Sequence, residues 1–531
     1  MKGAYSKLMI ENPILRGFNP DPAAIRVGDD YYIATSTFEW WPGVALYHSK
    51  DLKHWELHSY PLNRTSQLDL KGVPNSGGVW APCLSYDGKK CYLVYTNVRE
   101  RGPFMQTDNY LVTTDDISSG VWSEPVYLNS MGFDPSLIHD DDGTKWLISL
   151  DNHFREGKRF NGLWARQYDP EKQRLVGELR QFYTEPHGEL VEGVHMYKHN
   201  GLYYLLKAQG GTGFRHSAQL SRSKSLFGPY EDDPNIMLHS RDNNELYLQK
   251  AGHASLVDTP SGELYLVHLA CRFAEGTNDT SSYFGRETCI QKVEWGDDGW
   301  LHLSQGGCNP HTLVPEPKLP EWTEYKEKDT FYDFRGAKAL DPDFQTLRGP
   351  LDDRMSFSEQ GMELTGGDGL NSLFEQTMAA RRLDTEHASI ETELIFEPEC
   401  EKHMAGLIVI YDTHNWHYMY VCRNNSTGKR EICVLTSDNY VLQHSISAFD
   451  EIPDGVPVIL RADIERRDLQ FSYEINGVTK KLGEPRDMYI LNDEHIYLGF
   501  TGTMVGICCQ DMIRREKKAV FKYFNYERKK K

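Results

Sequence analysis

From Asp21 the chain reads "DPAAIRVGDDYYIATS": an apolar run, a Gly-Asp turn, then a second run rich in tyrosine. This pattern predicts two short strands joined by a tight turn. It recurs as "APCLSYDGKKCYLVYT" from Ala81, "DPSLIHDDDGTKWLISL" from Asp134, "EGVHMYKHNGLYYLLKA" from Glu192 and "HASLVDTPSGELYLVHL" from His253, at intervals of 53 to 61 residues. Further strand-like pieces with polar turns, such as "VALYHSKDLKHWELHSY" and "CIQKVEWGDDGWLHL", lie between the copies. Each unit thus holds about four short strands, the content of a propeller blade. Five units predict a five-bladed β-propeller over residues 1–312. Five unrelated hairpins in a sandwich would not give such even spacing.

A propeller gives the first position of the repeat a geometric meaning. If each copy opens the innermost strand of its blade, Asp21, Ala81 with Trp80 before it, Asp134, Glu192 and His253 converge near the axis. Asp21 stands between Pro20 and Pro22, which fix the local backbone and favour an extended conformation. A lone Asp-Pro usually marks a surface turn. Acidic residues at one repeat position in three copies point instead to a shared pocket.

After "GGCNPHTLVPEPKLPEW" the repeat stops, and Pro310, Pro315, Pro317 and Pro320 predict a stiff connector over residues 313–328. Residues 329–531 are again strand-like, with "ASIETELIFE", "AGLIVIYDTHNWHYMYVC" and "DLQFSYEINGVTKKL", the last turning at Asn476-Gly477. Alternation without a helical period predicts a β-sandwich. The expected fold is therefore all-β, a propeller followed by a sandwich. The sandwich either stabilises or oligomerises the chain, or lends a loop to the pocket.

Composition narrows the partners. The 531 residues carry a net charge of −19, which repels nucleic acid and anionic lipid. No run of 18 apolar residues exists, and "MKGAYSKLMIENP" lacks a signal-peptide core, so neither a nucleic acid nor a membrane is an expected partner and the expected compartment is the cytoplasm. Ten cysteines without a Cys-x-x-Cys pair suit neither a zinc site nor a disulfide framework, so they are expected to be reduced.

Three acids around one axis permit glycoside hydrolysis with inversion, in which an ionised carboxylate activates water and a protonated one protonates the leaving oxygen. A third acid can raise the pKa of a neighbour by like-charge repulsion. Metal binding is the competing use of such a cluster, and its three acids and histidine suit Ca²⁺ or another hard cation. The neighbouring Phe38, Trp40, Trp41 and Trp80 suit an apolar sugar face better.

At these residues the chain resembles glycoside hydrolase family 43, specifically its two-domain β-xylosidases. The resemblance rests on "NPILRGFNPDPAAIRVGDDYYIATSTFEWWPGVALYHSKDLKHW", "GGVWAPCLSY", "GFDPSL", "VEGVHMY", "GHASLV" and "GRETCIQK", and continues through "DFQTLR", "AGLIVIYDTHNWHYMYV" and "FTGTMVG". It implies a five-bladed propeller with a lectin-like sandwich, and inverting release of xylose from the non-reducing end of β-1,4-xylo-oligosaccharides. It implies Asp21 as general base, Glu192 as general acid and Asp134 as pKa modulator. Arg286 would contact sugar hydroxyls and the carboxylates, and Phe38 and Trp80 would line the terminal sugar site. His253 matches an axial histidine that in some relatives ligates a divalent cation such as Ca²⁺, though the chemistry itself requires no cofactor. Dimers or tetramers are implied as well. An α-L-arabinofuranosidase or dual enzyme is the nearest alternative, and a non-catalytic glycan-binding propeller is an alternative of another class.

Three departures bear on specificity. Val194 replaces the proline usual after the acid's glycine. Asn152 and His153 stand where a tryptophan-containing segment is expected. Met504 stands where relatives carry a pocket-closing phenylalanine, and is itself expected at the substrate.

Overall fold

The computed structural model describes residues 8–152, 155, 160–185, 189–273, 282–326, 330–495 and 499–529. His153 lies outside them. Among the described residues the regular structure is antiparallel strand, interrupted only by three-residue 3-10 turns.

Five separate sheets form the first half, each assembled outward in chain order. Their first strands are Ala23–Val27, Gly78–Tyr86, Ser136–His139, Val191–His199 and Leu248–Asp258. These five contact one another in a closed ring, so they are the inner strands of a five-bladed propeller. The ring is tied shut by the chain's beginning. Met9–Glu11 pairs with Leu313–Pro315, and the Asn12 side chain bonds both the carbonyl (2.7 Å) and the N–H (2.8 Å) of Ile290. The first residues expected in the connector thus belong to the propeller's closure.

The second half is a sandwich of a nine-stranded and a seven-stranded sheet. Its central strands alternate strictly between two buried faces. Leu407, Val409, Val421, Val505 and Ile507 join the core between the sheets. Ile408, Tyr418, Tyr420, Met504 and Cys508 join a second core shared with Phe38, Trp40 and Trp80 of the propeller. The seven-stranded sheet is therefore a middle layer, which is why "AGLIVIY" reads as a continuous apolar run. Polar ties reinforce this packing: Arg348 donates to the Val73 carbonyl (2.7 Å) and Arg382 to that of Phe18 (2.6 Å).

The repeat has a backbone signature. Asp21, Ala81, Asp134, Gly193 and His253 all have positive φ, between 34° and 56°. Asp21 is thus left-handed, not extended as its prolines suggest; aspartate tolerates this region better than most residues because its short side chain bonds locally. The fourth member is Gly193, so Glu192 stands one residue before the repeat position, in the phase of Trp80. At three of the five sites the ladder to the second strand shifts register, between Trp80 and Cys83, between Glu192 and His195, and on both sides of Gly252. These bulges turn side chains from the blade faces toward the axis.

Candidate active site

A cavity of about 710 Å³ opens at the axis, lined by Asp21, Asp134, Glu192, His253 and Arg286, with Phe38, Trp80, Phe133 and Phe500 forming apolar wall. Asn152 also lines it. Trp40 and Trp41, expected on the sugar face, are buried in apolar cores and line no part of the cavity; the rest of the expected constellation is present except Met504. That side chain is fully buried in the Met504–Asp511 strand, paired with Arg382, and reaches no cavity wall. The pocket-facing aromatic is Phe500, in the loop just before that strand.

Asp21 is buried and fully engaged. Its Oδ2 accepts from Ser36 Oγ at 2.6 Å and its Oδ1 from Arg286 Nη1 at 2.9 Å. Ser36 Oγ in turn accepts the Ala81 N–H at 2.7 Å, so the second blade's repeat position braces the first blade's acid. Burial works to raise the carboxyl's pKa, but the Arg286 guanidinium, then His253 and the Ser36 hydrogen bond, outweigh it and hold the group below its ordinary value. Asp21 is thus ionised near neutrality.

The other two acids are shifted the opposite way. Glu192 is pushed up to about 7 by desolvation and then by the Asp21 charge, against the pull of Arg286. Asp134 accepts the Gly193 N–H at 3.1 Å. Desolvation, then Glu192 and Asp21, hold it well above its ordinary value. Two like charges in one desolvated space favour a shared proton. One cavity therefore holds a fixed carboxylate and a pair of acids that retains a proton, the division of roles that acid–base catalysis needs.

The sandwich completes the wall behind Arg286. The guanidinium donates Nη2 to the Phe500 carbonyl at 2.9 Å and lies 5.6 Å from both the Phe38 and Phe500 rings. The Phe500 ring meets Trp80 edge-on at 5.3 Å, and Arg101 covers it at 4.6 Å. Asp493, bonded by the Tyr411 hydroxyl, is a half-buried sandwich acid whose pKa desolvation raises, while Lys250, Arg286 and Arg101 pull it down. Gly285 and Gly502 permit this approach: a Cβ on either would lie 2.1 to 2.3 Å from the carbonyl oxygen of Thr501 or Phe284.

His253 Nδ1 lies 3.7 Å from Asp21 Oδ1, and its ring packs on Gly193, where a Cβ would come within 2.7 to 2.8 Å. Burial foremost lowers its pKa, against the pull of the Asp21 carboxylate. His216, pressed on Gly252, shares the cavity and leaves Nε2 without a hydrogen-bond partner. Among the described residues, no group of three donors close enough to hold a metal ion includes His253.

Sequence reasoning missed Phe133, Arg101, His216, Asp493 and Phe500. Phe133 directly precedes Asp134, and Phe500 opens the segment "FTGTMVG" that also holds Met504. Nothing local to Arg101, His216 or Asp493 marks them, since only the tertiary fold brings the first two to the pocket and the third behind Arg286.

The model of "Glycosyl hydrolases family 43" matches residues 10–301, and that of the "Beta xylosidase C-terminal Concanavalin A-like domain" matches residues 332–527. "Xylosidase/arabinosidase 43B" of Humicola insolens is 44% identical, over 97% of this chain and 97% of that protein. "Beta-xylosidase" of Bacillus subtilis (strain 168) is 41% identical over 98% and 100%. The crystal structure of xylan beta-1,4-xylosidase from Bacillus Halodurans C-125 superposes with a TM-score of 0.92 at 43% identity, covering 98% of this chain and 100% of that one.

Proposed function

The chain belongs to the glycosyl hydrolases of family 43, and from that premise we propose that it is an inverting exo-β-xylosidase acting on short β-1,4-xylo-oligosaccharides. The observation that carries this reading is the split within one cavity: Asp21 clamped ionised by Arg286 and Ser36, Glu192 pushed to about 7. Asp21 is the general base that takes a proton from water as the water's oxygen bonds the anomeric carbon. Glu192 is the general acid that gives its proton to the departing glycosidic oxygen. Asp134 is a positioning residue: its bond from the Gly193 N–H fixes the strand beside that acid, while burial and the Asp21 charge hold the pKa of Glu192 up.

Phe38, Trp80, Phe133 and Phe500 offer ring faces and edges to the apolar side of a pyranose, and Arg286 offers donors to its hydroxyls. Arg286 also orients the base, so its loss would affect binding and turnover together. An axial divalent cation would have His253 as a nitrogen donor and water for most of its shell. No step above depends on one.

The pH dependence follows from the signs. The base must be ionised, which holds above its lowered pKa; the acid must be protonated, which fails as pH rises through about 7. Activity should therefore show a broad acidic plateau and an alkaline fall near neutrality. NMR of the first sugar released from xylobiose tests inversion: the α-anomer is expected, and a β-anomer overturns the reading. Parallel assays on aryl β-D-xyloside and aryl α-L-arabinofuranoside decide the sugar, since one relative is named for both activities; preference for the arabinoside would transfer the proposal to that substrate.

A further inference from the structure

On the sandwich, far along the sequence from the catalytic acids, Asn415–Arg423 and Arg430–Asp438 form a hairpin in unbroken antiparallel register. Cys422 lies opposite Glu431, and Tyr420 opposite Cys433. Residues opposite one another, and residues two apart on a strand, share a face. Cys422, Glu431 and Cys433 therefore project together, and all three are buried, with 4%, 6% and 8% exposure. One donor atom from each lies within 4.8 Å of the others, the only such group among the described residues.

Two features set this cluster apart from buried cysteines that serve as small apolar fillers. The first is the carboxylate. Glu431 accepts from Asn424 Nδ2 at 3.0 Å, a neutral donor. Its neighbour Arg430 points away, to the carbonyls of Pro453, Val456 and Phe396. A buried carboxylate against two sulfurs, with no cation on it among the described residues, is electrostatically incomplete. The second is the sulfur spacing. The thiols stand 3.8 Å apart, and a tetrahedral zinc ion with Zn–S bonds of about 2.3 Å holds its two sulfurs about 3.8 Å apart. A disulfide suits the pair less well, because diagonal cross-strand positions are typically about 7–8 Å apart, wider than a disulfide spans.

We propose that Cys422, Cys433 and Glu431 form a binding site for a soft divalent cation of the zinc class, with water as fourth ligand and Asn424 orienting the carboxylate. The ten-residue separation of the two cysteines resembles no loop-type zinc spacing; the hairpin, not the sequence interval, brings them together. Their face belongs to the core shared with the propeller, so a bound ion would pin two strands of the layer on which the blades rest. Substrate chemistry plays no part in this inference, and it stands or falls independently of the proposed activity.

Metal titration of the full chain tests it, with Co²⁺ as the spectroscopic probe and Zn²⁺ as competitor. One equivalent of Co²⁺ per chain should give near-ultraviolet thiolate-to-cobalt charge-transfer absorption, abolished by one equivalent of Zn²⁺. Cys433→Ser should lose the band. Glu431→Gln should keep it and bind about tenfold or more weakly. No band in the wild-type chain, or an undiminished band in folded Cys433→Ser, overturns the proposal. Should circular dichroism show that Cys433→Ser does not fold, Glu431→Gln decides alone, and unchanged Co²⁺ affinity there overturns it.

Discussion

The propeller and the sandwich are built from the same antiparallel strands and use them in opposite ways. In the sandwich, Thr377–Arg382, His403–Asp412 and Arg430–Asp438 hold their ladders to the neighbouring strands of the sheet without a break along most of their length, and their side chains alternate between two buried apolar layers. In the propeller the inner strands depart from the ladder where they meet the axis, at left-handed residues and bulges, and there the polar groups gather. Regular pairing leaves no side chain free to face along an axis. The three acids of the cavity reside where the inner strands leave regular pairing, and the regular sheet supplies the rigid wall behind them.

The largest test removes the gathered groups. Asp21→Ala should lower kcat on every substrate by about 10²–10⁴-fold, the usual worth of a positioned proton-transfer group. Glu192→Gln should do the same on xylobiose but far less on aryl glycosides with good leaving groups, and its activity should no longer fall near pH 7. Near-normal activity of Asp21→Ala would remove the base assignment.

A pair of glycines probes the comparison directly. At Gly193, with φ +56°, an added Cβ would strain the backbone and press on the His253 ring at 2.7–2.8 Å. Gly193→Ala should cut kcat by about tenfold or more while costing only about 1–2 kcal/mol of stability. At Gly406, in the regular sheet, a Cβ would lie 2.0 Å from the Met419 carbonyl oxygen. Gly406→Ala should lower the Tm strongly and leave the kcat of the folded fraction unchanged. If the two substitutions behave alike, the division of labour between the domains is wrong.

Phe500→Ala measures what the sandwich lends to the pocket. Because its ring contacts the cavity and its backbone carbonyl stays to receive Arg286, KM should rise several-fold with a smaller drop in kcat. Smallest of all should be Met504→Leu, a volume-conserving change inside a packed layer, costing less than about 1.5 kcal/mol and leaving steady-state kinetics intact.

Much of this architecture could be read from the residues because repetition exposes it. Five copies of a turn flanked by strands specify blades, and Asp21, Asp134 and His253 stand at one repeat position in the sequence and in space. The sequence repeat aligns Glu192 with the same position, yet Gly193 occupies it, because only backbone dihedrals reveal which residue adopts the left-handed conformation. Pro20 and Pro22 suggest an extended Asp21, the wrong region of φ. Met504 and Phe500 cannot be ranked for the pocket from sequence because the loop and the strand beside it are adjacent there, and burial alone tells them apart. Arg101, His216 and Asp493 were invisible for a plainer reason: their roles depend on partners hundreds of residues away or on another blade.

That distance has a consequence for biosynthesis. Asp21 and the arginine that holds it are 265 residues apart, and Arg286 and the Phe500 carbonyl that receives it a further 214. A ribosome delivers the base early and the last wall of its pocket almost five hundred residues later. A chain interrupted before Phe500 could carry all five blades and every acid, yet Arg286 would lack one of its acceptors and the cavity one of its faces. Full hydrolytic competence therefore arrives only once the segment around Phe500 has been made and has docked, so turnover reports on the joining of sandwich and propeller.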